Sequence, residues 1–259
     1  MNFFSTIRKW VIGCAVMVGT SRDMSEWIKR YREDERRVKE QVWSVTSFSG
    51  KVVLDVGIGE SSAVLKNLGA KVIGVERDVA KIAEYGYLGI PVIVSDFLHF
   101  PFNMKIADLV VFYFTLHEID PAQHMRVLTI ARSVAYEVFV VEPSPEGCPA
   151  YRMYAELWKK AMHSIGEFED YKDVGYWVSI LQRSGFKVIT VKSIEWTTEV
   201  PPCILKEVVD RDKMLWRKKG VSEEYVEKLD VFFKYALRNG MKWSDINVIY
   251  GRATNPNGG

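Results

Sequence analysis

The sequence predicts an α/β protein in which one mostly parallel sheet carries helices on both faces. Three observations point there. Apolar, β-branched runs recur at residues 52–56, 71–76, 90–96, 107–114 and 136–142, and their hydrophobicity is nearly continuous rather than alternating, which marks strands buried on both faces. Stretches of helical length separate these runs, so successive strands are joined by crossovers and lie parallel. The first run, Lys51-Val-Val-Leu-Asp55-Val-Gly57-Ile-Gly59-Glu-Ser61, passes directly from strand to glycine turn to helix, the arrangement that lets a backbone approach a nucleotide with no Cβ in the way.

Composition narrows the classes. At 259 residues with 48% apolar content, the chain can build one sizeable domain with its own core. A formal net charge of +2 gives no electrostatic case for a nucleic-acid partner, and the basic cluster at residues 213–219 reads as a solvated helix face. Cys14, Cys148 and Cys203 are odd in number, far apart and without ligand spacing. That pattern suggests a reducing, cytoplasmic compartment. None of His99, His117, His124 and His163 has a metal-type partner at helical spacing, so no metal site is expected.

The elements follow in order. Arg8-Lys9 precedes an apolar run at residues 10–18, too short for the about 20 residues a membrane span requires and without a clean cleavage pattern. Residues 25–43 then form a charged helix with apolar positions at Trp27, Ile28, Tyr31, Val38, Val42 and Trp43. Residues 1–47 are therefore read as N-terminal helices capping or closing over a main domain at residues 48–259. Within that domain, Asp78 caps the helix after the second strand, and Asp120-Pro121-Ala-Gln123 opens the helix running to Arg132. The fifth strand is stopped by Pro143-Ser-Pro145, a helix at residues 175–185 is closed by glycine, a sixth strand starts at Phe186, and a seventh lies within residues 244–253. The tail at residues 255–259 is expected to be loose.

Two helical insertions, residues 144–173 and 200–241, stand outside this alternation. All eight tryptophans lie outside residues 51–142. Rigid aromatics concentrated in the excursions suit a lid over an apolar small-molecule pocket, or packing of these helices on one another or on a second copy in a homodimer.

The glycine turn alone leaves the nucleotide open. A dinucleotide fingerprint would place glycine where Ser62 stands and would not require Asp55. The next strand ends in Glu76, 21 residues after Asp55, where a carboxylate can accept both hydroxyls of a ribose. The third ends in Ser95-Asp96-Phe97, and the fourth runs through Tyr113 into Thr115-Leu-His117-Glu118. As a set, over roughly residues 48–198, these positions resemble the class I S-adenosylmethionine-dependent methyltransferases, and among them the small-molecule, UbiE-like type. Ser61 replaces that family's usual third glycine.

The resemblance implies a Rossmann-like fold with a seven-stranded, mostly parallel sheet whose last strand is antiparallel to the sixth. It implies S-adenosyl-L-methionine as cofactor, met by Asp55, Gly57, Gly59, Glu76, Asp96, Phe97 and Tyr113. Ligands in open α/β sheets bind beyond the carboxyl ends of the strands, so His117 and Glu118 are the candidates for orienting an acceptor or taking its proton. Glu142, at the fifth strand's tip, is a third. Thr115-Leu-His-Glu118 also reads as a capping box that would leave Glu118 structural. The Asn/Asp-Pro-Pro-Tyr/Phe element of amino-methylating nucleic-acid enzymes and the Pro-Cys nucleophile of cytosine-C5 enzymes are both missing, which favours a small-molecule methyl acceptor. An RNA or protein methyltransferase, a nicotinamide-dependent oxidoreductase and a non-catalytic adenosylmethionine-binding protein stay open as alternatives.

Overall fold

A computed structural model describes residues 22–254. Its seven-stranded sheet has the order β3-β2-β1-β4-β5-β7-β6. The strands are β1 (Val52–Val56), β2 (Lys71–Glu76), β3 (Val92–Val94), β4 (Ala107–Tyr113), β5 (Ala135–Pro143), β6 (Phe186–Ile194) and β7 (Ile246–Ala253). Neighbours are parallel throughout β1 to β5, and β7 runs antiparallel to both β5 and β6.

Period-two alternation in the central strands splits the core in two. Val53, Leu109, Val111, Phe139 and Val141 face one side, where α1 (Arg22–Trp43), α5 (Pro149–His163), α7 (Pro202–Lys219) and α8 (Glu223–Asn239) pack. Leu54, Val110, Phe112, Val138 and Val140 face the other, covered by α4 (His124–Val134) and α6 (Val174–Arg183). The insertions thus lie on one face only, and α1 joins them there. The Trp27 indole N–H donates to the Glu199 carbonyl, and Asp34 accepts the backbone N–H groups of Thr197 and Thr198.

Two shorter helices, α2 (Glu60–Asn67) and α3 (Val79–Tyr85), complete the parallel half. Asp78 caps α3 through the Ala80 N–H at 2.8 Å, as the sequence indicates. Asp120 caps a 3-10 turn, Pro121–Gln123, rather than α4 itself, which starts one turn later at His124. β3 is shorter than its apolar run. Pro91 has no N–H to donate, and pairing at this sheet edge is confined to three residues.

Cys148 is a free thiol. No helix among the described residues is long and apolar enough to cross a membrane. The apolar run at residues 10–18 and the tail at residues 255–259 lie outside the described residues.

Candidate active site

The carboxyl ends of β1, β2 and β4 meet at the first glycine turn. Gly57 takes φ +82, and a Cβ there would sit 3.2 Å from Thr115 Oγ1 and 3.8 Å from Lys81 Nζ. Asp55, fully buried, organises this turn. Its Oδ2 accepts the hydroxyls of Ser61 and Ser62 at 2.8 and 2.5 Å, while Oδ1 has no hydrogen-bond partner. Burial outweighs those two hydrogen bonds and pushes its pKa up to about 6. Ser62 Oγ also accepts the Gly59 N–H at 3.2 Å, so both serines standing where other nucleotide motifs place glycine tie the helix start to Asp55. Glu60 adds a second carboxylate at the same helix N-terminus, paired with Lys39 at 3.0 Å.

Glu76 Oε1 accepts the N–H groups of Arg77 and Asp78, and Oε2 lies 3.2 Å from Lys81 Nζ. Asp96 accepts the Leu98 N–H through Oδ1 and pairs with Arg77 through Oδ2 at 3.1 Å. Phe97 is buried between Phe100 and Phe112. The carboxylates expected to meet a nucleoside are therefore held in place by backbone donors, with Lys81 and Arg77 set against them. Neither cation was singled out from the sequence, where each is one of many in a helical stretch.

These groups line one side of a cavity of about 460 Å³. Gly57, Glu76, Asp96, Phe97 and Tyr113 are on its wall; Asp55 and Gly59 stand behind it. The opposite side comes from the insertions: Trp158 and Met162 of α5, the loop at residues 166–169, and Leu215 and Lys219 of α7. A Lys219–Glu167 ion pair joins the two insertions at this roof. Of the tryptophans among the described residues, only Trp158 reaches the cavity, while Trp43, Trp177, Trp196, Trp216 and Trp243 pack in the core, the second of the two arrangements the sequence allows.

The segment after β4 contains the second cluster. Phe114 has φ 51, the only non-glycine residue at positive φ among those described, and this turn aims the following N–H groups at Glu142. Its Oε1 accepts the N–H groups of Thr115 and Leu116 at 3.0 and 2.7 Å, and its Oε2 accepts Nδ1–H of His117 at 2.5 Å. Thr115 makes no capping bond. Its hydroxyl donates to the Val56 carbonyl, so the capping-box reading of residues 115–118 does not hold.

His117 is completely buried and lies behind the cavity wall, not on it. The Asp170 N–H donates to the His117 carbonyl at 2.8 Å, which brings Glu169 to 3.5 Å from Nε2. Burial would depress the imidazole, but Glu142 and Glu169 outweigh it and hold its pKa above the usual value. Burial raises Glu169 in turn. Glu118 and Glu169 both line the cavity, and Glu169 accepts the Tyr171 hydroxyl at 2.5 Å. One ligand atom each from His117, Glu118 and Glu169 lies within 4.8 Å of the other two. Histidine spacing alone gave no hint of this grouping, because Glu169 arrives from a loop distant in sequence. His124 is structural, with Nε2 near the Leu116 and Ile119 carbonyls and Nδ1 near the Tyr176 hydroxyl.

No protein-family model matches the chain, and no curated protein matches it. Solved structures do. A Bacillus halodurans C-125 protein aligns at TM-score 0.58 with 14% identity, covering 91% of this chain and 100% of that one. A SAM-dependent methyltransferase from Archaeoglobus fulgidus aligns at 0.53 with 17% identity, covering 89% and 98%. Magnesium protoporphyrin IX methyltransferase from Synechocystis PCC 6803, with bound SAH, aligns at 0.51 with 12% identity, covering 92% and 90%. These likenesses establish the architecture: a Rossmann-like class I methyltransferase fold with its characteristic antiparallel seventh strand.

Proposed function

We propose that the chain is an S-adenosylmethionine-dependent methyltransferase that acts on a small-molecule acceptor by in-line transfer. One observation carries this reading: a single cavity joins the carboxylates at the ends of β2 and β3 to a roof that includes Trp158, Met162 and Phe168, so a nucleoside side and an aromatic side share one cavity.

The residues present fit that cofactor better than a dinucleotide. Asp55 and Glu60 put negative charge where a pyrophosphate would dock on α2, which repels phosphate and suits the cationic amino-acid end of adenosylmethionine. Asp55 Oδ1 is a buried acceptor still without a donor. In this reading Gly57 and Gly59 shape the turn, Glu76 takes the ribose hydroxyls, and Asp96 with Phe97 receives the adenine. Tyr113, stacked on Trp43 at 5.1 Å, forms a fixed wall beside the acceptor.

The cofactor supplies an electrophilic methyl group on a sulfonium. The chain's residues supply position: holding the acceptor in line with the methyl group contributes most of the rate. Glu118 and Glu169 are the wall carboxylates able to orient an acceptor or receive its proton. His117 acts behind them as a positioning residue.

Calorimetry tests the cofactor and labelling tests the activity. Adenosylhomocysteine should bind the full chain while NAD does not, and labelled adenosylmethionine with host extract should label a small molecule. Tight NAD binding, or label appearing only in RNA or protein, would overturn the proposal.

A further inference from the structure

We infer that His117, Glu118 and Glu169 form a binding site for a first-row divalent metal ion. Each offers one ligand atom, and all three atoms lie within 4.8 Å of one another. The independent sign is His117 Nε2. It is fully buried, 3.5 Å from Glu169 Oε1, and has no hydrogen-bond partner. A buried ring nitrogen left in that condition costs free energy.

The ring is oriented for ligation. Nδ1 faces Glu142 Oε2 at 2.5 Å, and Glu142 is acceptor to the Thr115 and Leu116 N–H groups through its other oxygen. Glu142 thus fixes the ring through Nδ1–H, and an ion that displaces the Nε2 proton would meet a lone pair facing Glu118 and Glu169. A carboxylate behind a histidine, fixing ring and tautomer, is the usual outer layer of a metal–imidazole bond. One nitrogen and two carboxylate donors, with no sulfur, suit Mn²⁺, Fe²⁺, Co²⁺ or Zn²⁺. Donors sharing an ion at about 2.0–2.2 Å sit closer together than 4.8 Å, so binding draws the cluster in. Glu118 lies on the cavity wall.

The site opens onto the cavity, because Glu118 and Glu169 both line it. A metal ion there would leave coordination positions facing the acceptor and would favour an oxygen or sulfur acceptor by lowering its pKa. That consequence for the acceptor class rests on the methyltransferase reading; metal binding does not.

The test is titration of chelator-treated, full-length protein with MnCl₂, followed by the EPR signal of free Mn²⁺, and with ZnCl₂ against a competing indicator. One equivalent should bind. Glu118→Gln and Glu169→Gln should each weaken binding at least about tenfold, and Glu142→Gln should weaken it about 10–100-fold while keeping the stoichiometry. Circular dichroism checks the buried variants, and Glu118→Gln, on the cavity wall, remains informative if they fail to fold. Less than one equivalent bound at about 100 µM of either ion, or parent affinity in both Glu118→Gln and Glu169→Gln, overturns the site. Adenosylhomocysteine affinity of the metal-free protein is measured alongside. Adenosylhomocysteine binding without metal binding removes the metal site alone, whereas metal binding without adenosylhomocysteine binding keeps the site and removes the methyltransferase reading.

Discussion

Asp55→Asn should change how stability depends on pH more than it changes the fold. The Asp55 carboxyl is completely buried, accepts two serine hydroxyls, and has its pKa raised from 3.8 to about 6, chiefly by burial. A raised carboxyl pKa means the folded state prefers the protonated form. The stabilisation is fully present below the unfolded value near 3.8 and is lost as pH rises through about 6. The interval corresponds to roughly 3 kcal/mol. Asparagine keeps the shape and an acceptor but cannot ionise. Urea unfolding of both proteins, followed by tryptophan fluorescence from pH 4 to pH 7, isolates the residue in the difference between the two curves. Relative to the parent, the asparagine variant should gain about 3 kcal/mol across that window, with most of the change between pH 4 and 6. A difference that stays flat with pH would show that Asp55 is ordinarily solvated and that the enclosed turn described above is wrong.

Three further perturbations test the same region. Glu76→Ala should weaken adenosylhomocysteine by about 2 kcal/mol in calorimetry, since a carboxylate held by two backbone N–H groups is lost from the ribose position; unchanged affinity would remove Glu76 from the cofactor. Gly74→Ala should cost about 1–3 kcal/mol, because a Cβ there falls 2.3 Å from Ile58 Cγ2 in the turn between Gly57 and Gly59. Ligand affinity should fall together with melting temperature, and a loss of stability alone would uncouple the turn from binding. Lys219→Met removes the ion pair to Glu167. As this pair is partly exposed it should cost under about 1 kcal/mol globally, yet speed hydrogen exchange at residues 164–169. Unaltered exchange there would mean the roof is held by packing alone.

The parallel half was legible because each strand carries its own signal. Continuous β-branched runs, the glycine turn and the acids Glu76 and Asp96 lie within short stretches, and the structure puts Gly57, Glu76, Asp96, Phe97 and Tyr113 on one wall. What could not be read depends on distant pieces meeting. Residues 115–118 carry a local capping pattern, but Glu142, at the tip of the adjacent strand, takes the Thr115 N–H and so decides the geometry. His117 at a strand tip reads as facing ligand; Glu142 and the Asp170 N–H turn it inward instead. Glu169 is one acid in an irregular loop, and only the pairing of Asp170 with His117 gives it a place. The tryptophans adopt the packed alternative: Trp43, Trp196, Trp216 and Trp243 are buried, with Trp43 stacked on Tyr113 and Phe139.

The placement of β7 between β5 and β6 sets the order in which the molecule can be completed on the ribosome. β5 is apolar through its centre, with Val138, Phe139, Val140 and Val141 all without solvent exposure in the finished fold, yet its outer edge has no partner until residues 246–253 have been made. β6 waits for the same strand. Through the synthesis of both insertions the nascent chain therefore carries an open, sticky edge. A stop codon or frameshift between residues 194 and 246 would not yield a smaller working domain but a chain with two strands, β5 and β6, lacking their shared partner, prone to aggregation and degradation.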